Sequence, residues 1–129
     1  MADHTITQKV TTSGKAVESV RTITAADGGL VSQEFTIADA VTDQQVNIAI
    51  DVSQLKSIYI LSTQNILLET NNAATPTDTI NLLANVPYMW DASSYFTNKI
   101  TADVTKMFFT NSSGATATVK IETLEDVTV

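Results

Sequence analysis

Apolar and polar residues alternate with a period of two over much of this chain, as they do in strands that turn one face to a core. Near the start, His4, Ile6, Gln8 and Val10 fall on one face and Thr5, Thr7 and Lys9 on the other, so the first strand carries only a thin apolar stripe. The turn Thr12-Ser13-Gly14-Lys15 leads into a second run, Val17 to Thr24, which ends at Asp27-Gly28-Gly29, where two glycines permit positive φ. Residues 3–25 therefore read as a hairpin.

Over Leu30–Ile37, Val31, Gln33, Phe35 and Ile37 alternate with polar neighbours, and Val46, Ile48, Ile50 and Val52 share one face of the next run. Leu55–Leu61 is more continuously apolar, as expected of a central strand covered on both sides. Asn65–Thr70 follows the polar Ser62-Thr63-Gln64, and these two runs are expected to pair as the core hairpin. The stretch 71–77 is rich in turn residues and Pro76 lacks a backbone donor, which predicts a surface loop. Strands resume at Thr79–Leu83 and Val86–Trp90. After an irregular connection over 92–102, Val104–Thr110 and Thr116–Leu124 flank the turn Asn111-Ser112-Ser113-Gly114 as a second expected hairpin. A weak internal echo links Asp51-Val52-Ser53-Gln54-Leu55-Lys56 and Ile58-Tyr59-Ile60 to Asp103-Val104-Thr105-Lys106-Met107 and Phe108-Phe109. Two equivalent strands, one in each sheet, would account for it.

Nine or ten short strands at spacings near ten residues, with no amphipathic helix, predict an all-β fold. The expected architecture is a two-sheet antiparallel sandwich, jelly-roll or immunoglobulin-like, with an N-terminal hairpin or arm. Residues 1–29 would form that arm as part of the same domain, and residues 30–129 the sandwich body.

Composition agrees with strands. About one residue in six is Thr, and Val and Ile are frequent; such β-branched side chains favour the pleated sheet. At 129 residues, 43% hydrophobic and 16% charged, the chain is long enough for one core and too short for two. Cysteine is absent, which removes disulfides, thiolate nucleophiles and cysteine-ligated zinc. No apolar run reaches the length of a bilayer span, and the start Met1-Ala2-Asp3-His4-Thr5 is polar and acidic, so neither Sec export nor membrane anchoring is expected.

The net charge of −7 repels phosphate backbones, so nucleic acid is not an expected partner. That charge is unevenly spread. In residues 1–29, Lys9, Lys15 and Arg21 balance Asp3, Glu18 and Asp27, and the whole −7 falls in residues 30–129, with four basic and eleven acidic side chains. An electrically neutral arm on an acidic body is one that could dock on an acidic neighbour. Lys9, Lys15 and Arg21 are therefore candidate interface residues.

Catalytic chemistry finds little support. His4 is the single histidine, which excludes a histidine pair on a metal, and an inert surface role is expected for it. Gly28-Gly29 reads as a turn and not as a phosphate loop. Asp91 could serve a glycosidase only with a second acid across a cleft. Asp39, Asp43 and Asp78 lack the spacing of a calcium loop and are expected to be solvated loop ends. No catalytic residue, cofactor or metal ligand is assigned, and the chain is not expected to be an enzyme. Tyr88, Trp90, Tyr95 and Phe96 cluster within nine positions and suit a core plug, a subunit interface or a sugar-stacking platform.

Four segments carry a resemblance: Asp51-Val52-Ser53-Gln54-Leu55-Lys56-Ser57-Ile58-Tyr59, Glu69-Thr70-Asn71-Asn72, Ser94-Tyr95-Phe96-Thr97-Asn98 and the run from Thr110 to Thr118. In them the chain resembles small β-rich virion accessory proteins of tailed bacteriophages, of the capsid decoration or cement type. The resemblance implies a structural protein on the capsid surface, made in the host cytoplasm. Its expected partners are the major capsid protein or neighbouring virion subunits and further copies of itself, with a trimer favoured. A tail or head-fibre component and a carbohydrate-binding sandwich are the alternatives.

Overall fold

In a computed structural model of the chain, residues 2–127 are described. Ten strands run in the order β1 (Ala2–Thr12), β2 (Lys15–Ala25), β3 (Gly28–Ile37), β4 (Val41–Ile50), β5 (Leu55–Ser62), β6 (Ile66–Thr70), β7 (Thr79–Leu82), β8 (Tyr88–Asp91), β9 (Val104–Asn111) and β10 (Ala117–Asp126). They make one two-stranded sheet, β1-β2, and two four-stranded sheets ordered β3-β10-β5-β8 and β4-β9-β6-β7.

The pairing is nested. β6 pairs β7, β5 pairs β8, β4 pairs β9 and β3 pairs β10, all antiparallel. From Gly28 onward the chain is thus one long ribbon, doubled back between β6 and β7 and rolled so that successive rungs fall in alternate sheets. This is the jelly-roll arrangement, and it decides between the two sandwich topologies that the alternation allowed. The echoed segments contribute β5 to one sheet and β9 to the other.

Two expected hairpins are not formed. β5 and β6 lie in different sheets, as do β9 and β10. After β5 the polar corner bonds away from its own return strand: Thr63 N donates to Thr118 O at 3.1 Å, and Ser62 O accepts from Asn85 N at 2.8 Å. After β9 the buried Asn111 turns the chain between sheets, its Nδ2 donating to Ile37 O at 3.0 Å and Ala115 O at 2.8 Å while its Oδ1 accepts from Ser113 N at 3.0 Å.

The core lies between the two sheets, where Ile37, Ile58, Ile60, Val119 and Ile121 of one meet Ile48, Ile50, Leu68, Met107 and Phe109 of the other. Phe35 and Phe109 join the sheets through an edge-to-face contact, with centroids 5.2 Å apart. Such contacts add about 0.5–1.5 kcal/mol beyond the burial of area. Val52, expected on the same strand as Ile50, lies in the turn after β4 and packs against the core from there.

β1 and β2 pair in unbroken register from Ala2↔Ala25 to Thr12↔Lys15. Their two-residue loop is Ser13-Gly14, both at positive φ (46° and 82°), as a turn matched to the right-handed twist of the strands requires. At the other end of the hairpin the expectation for the glycines is corrected. Neither Gly28 nor Gly29 has positive φ; what requires glycine at 28 is space, because a Cβ there would lie 2.5 Å from Ala2 Cβ. The close approach of β1 to the start of β3 seats the hairpin on the outer face of the β3-β10-β5-β8 sheet.

Candidate functional site

Only the base of the hairpin is covered by the body. Ala2, His4, Ile6, Arg21, Ile23 and Ala25 share the face turned toward the sheet, and each is at least partly covered. Residues 7–20 are exposed throughout. Eleven residues per strand give the hairpin a length of about 36 Å, so more than half of it projects as an arm. On the projecting part, the face that lower down lies against the body ends in the cross-strand pair Val10↔Val17, 67% and 76% exposed. Lys9 stands opposite Glu18 on the other face, and Lys15 closes the inner face at the tip.

Two polar contacts fasten the base. His4 Nδ1 lies 2.8 Å from Oγ of Ser57, which is itself buried on β5. Burial lowers the His4 pKa from its ordinary value, and the charge of Glu122 only partly opposes that shift. Arg21 reaches further along: its Nη1 donates to Asp91 Oδ1 at 2.8 Å and to Ser93 Oγ at 3.0 Å, and its Nη2 donates to Gln8 Oε1 at 3.2 Å. Asp91 is 3% exposed. Burial alone would raise its pKa, but hydrogen bonds from Ser93 and Arg21 outweigh burial and hold the carboxyl below its ordinary range.

Two hollows flank this base. A cavity of about 270 Å³ beneath it is lined by residues that include His4, Ile6, Ser57, Trp90 and Glu122. Beyond Arg21, a cleft of about 460 Å³ opens between the arm and the loop after β8, with Gln8, Ser19 and Arg21 on one wall, Asp91 and Met89 on the floor, and Tyr95 and Phe96 on the far wall.

The aromatic cluster divides in two. Tyr88 and Trp90 pack against the core. The Tyr88 hydroxyl donates to Asn98 Oδ1 and accepts from Lys99 N at 2.8 Å, and burial raises its pKa. Trp90 Nε1 donates to Phe96 O at 3.0 Å. Tyr95 and Phe96, by contrast, are 103% and 79% exposed. Of the residues singled out by sequence, the structure brings Arg21, Tyr95 and Phe96 together around the cleft, leaves Lys9 and Lys15 toward the arm tip, and gives Tyr88 and Trp90 to packing and loop support.

Gln8, Asp91 and Ser93 were not foreseen in this setting. Asp91-Ala92-Ser93 carried a readable local signal, since an Asp two residues before a Ser commonly accepts that residue's N–H in a turn, as Ser93 N does here at 2.9 Å. The partner across the chain, Arg21, left no such trace. The candidate loop acids brace separate corners: Asp39 accepts from Gly114 N, Asp43 from Thr110 Oγ1, and Asp78 from Thr101 N and Oγ1. Among the described residues no group of three or more His, Asp or Glu side chains is placed to hold a metal ion, and no helix is long and apolar enough to cross a membrane.

Comparison with protein-family models, with curated proteins and with solved structures finds no match to this chain.

Proposed function

We propose that this protein is a virion structural subunit, a capsid decoration or cement protein that stabilises a shell by contacts between subunits. The observation that carries the reading is the arm. A two-stranded ribbon standing clear of its domain is marginal in water, because both edges offer unpaired backbone groups and neither face is covered. In this arm the inner face continues past the body as the bare pair Val10 and Val17. Such a device gains stability when a neighbouring subunit covers the face or adds a strand to its edge. Jelly-roll domains are also a common building form of viral shells.

On this reading the partners are the major capsid protein and further copies of the chain, arranged as a trimer on the capsid surface. Charge supports the copy-to-copy contact: the exposed segment 7–20 carries Lys9 and Lys15 against Glu18, whereas residues 30–129 hold all of the net −7. The test is sedimentation of the purified protein with and without empty capsid shells. Co-sedimentation at a fixed ratio is expected, and a monomer that ignores shells at all concentrations would overturn the assignment.

A further inference from the structure

We propose that the cleft between the arm and the loop after β8 binds a neutral sugar ring, stacked on Tyr95 and Phe96 and hydrogen-bonded to the Arg21–Asp91 pair. This goes beyond the assembly role and does not depend on it.

The first reason is the loop itself. Its backbone is tied at several points: Ala92 N donates to Lys56 O at 2.8 Å, Ser94 N to Asp91 O at 2.9 Å, Phe96 N to Ser94 Oγ at 3.2 Å, and Phe96 O accepts the Trp90 indole N–H. A segment held this firmly has little conformational freedom left to lose on binding. It nevertheless leaves its two largest side chains bare, although covering an aromatic ring removes about 150–250 Å² from water. Uncovered rings carried on a tied backbone offer a stacking platform for the C–H face of a pyranose.

The second reason is the floor. The three hydrogen bonds that the Asp91 carboxylate accepts fall on Oδ1, from Arg21 Nη1, Ser93 N and Ser93 Oγ. Asp91 lines the cleft although it is only 3% exposed, and its Oδ2 carries none of these three bonds. Arg21 has five N–H groups and spends three bonds on Asp91, Ser93 and Gln8. An ionised carboxylate oxygen beside spare guanidinium donors suits adjacent sugar hydroxyls, each of which donates to one group while accepting from another.

Size and charge narrow the class. A cleft of about 460 Å³ falls within the usual range for small ligands. A carboxylate on the floor and a chain of net charge −7 disfavour phosphates and acidic sugars.

The experiment is ligand-observed saturation-transfer NMR on the full chain with methyl glycosides of glucose, galactose, mannose and N-acetylglucosamine and with their trisaccharides. At least one is expected to bind saturably, with a dissociation constant of about millimolar or tighter. The double variant Tyr95→Ala, Phe96→Ala should weaken that binding by about tenfold or more while leaving the unfolding temperature unchanged, because both rings are exposed. Binding to none of the panel, or binding that survives the double variant, overturns the proposal. If no sugar binds and the double variant instead loses co-sedimentation with shells, the rings belong to a protein contact; the sugar site then falls while the assembly reading stands.

Discussion

Arg21 Nη1 lies 2.8 Å from Asp91 Oδ1, and this ion pair joins a projecting strand to the edge strand of a sheet 70 residues away in sequence. Asp91 is almost fully buried and Arg21 about one-third exposed, so the pair falls between a surface bridge of little worth and a buried one that is costly to break. Arg21→Ala is expected to cost about 1–2 kcal/mol, and a double-mutant cycle with Asp91→Asn should give a coupling of about 1 kcal/mol. Urea unfolding of the four proteins measures it. A coupling near zero would mean that the arm is held by its apolar contacts and the His4–Ser57 hydrogen bond without help from this pair.

Acid should loosen the arm. The folded pKa of His4 is lowered, so the neutral ring is the form that docks. Its contribution is present above the unfolded value of about 6.5 and is lost as pH falls through the lower folded value. Asp91, also lowered, acts in the same direction but only below the ordinary range of a carboxylate. Between about pH 7 and pH 5, amide exchange at residues 2–6 and 21–25 should quicken relative to the sandwich core. His4→Phe should remove most of that dependence.

Glu125 is placed the other way. Burial raises its pKa and the nearby charges of Asp51 and Asp103 add to the shift, against a hydrogen bond from Asp51 N. A carboxyl with a raised folded pKa favours the folded state below its unfolded value, and that advantage is lost as pH rises through the folded value. At neutral pH the ionised group is therefore a liability. Glu125→Gln keeps an oxygen for the Asp51 N–H and should raise the melting temperature at pH 7, with the gain vanishing in acid. Calorimetry at both pH values checks the sign.

Removing residues 2–26 should leave a folded body. The core residues from Ile37 to Ile121 lie beyond the deletion, and every rung of the ribbon from Gly28 onward is retained. A single cooperative urea transition is expected, together with loss of co-sedimentation with shells. If the transition disappears, the arm is part of the core and not an attachment to it.

The β nature of the chain and its N-terminal hairpin were legible because each depends on neighbours in sequence. Alternation at Val31, Gln33, Phe35 and Ile37 fixes which side chains face one way, and Ser13-Gly14 sets a tight turn wherever the strands lead. The strand after Leu55 was legible as central for the same reason, and the hairpin base does cover its outer face at Ser57. Partner choice was not legible. Ser62-Thr63-Gln64 and Asn111-Ser112-Ser113-Gly114 are as suitable for a return within one sheet as for a step to the other. Beside their local hydrogen bonds they bond Thr118, Asn85 and Ile37, and those are adjacent only after the sheets have packed.

The candidate site follows the same division. Sequence brought Tyr88, Trp90, Tyr95 and Phe96 to notice as a cluster, and the strand period put Tyr88 and Trp90 on one face. Whether that face met a core depended on the opposite sheet, and the exposure of Tyr95 and Phe96 depended on a loop pinned by Trp90 and Ser94. Sequence by itself determined the strands, the charge of each part and the freedom of the hairpin turn, since periodicity, ionisation and backbone sterics act over a few residues. Only the tertiary structure decided the jelly-roll order, the seat of the arm and the meeting of Arg21 with Asp91. Those are contacts between distant segments, fixed by which apolar faces bury each other and by which buried polar groups then find partners.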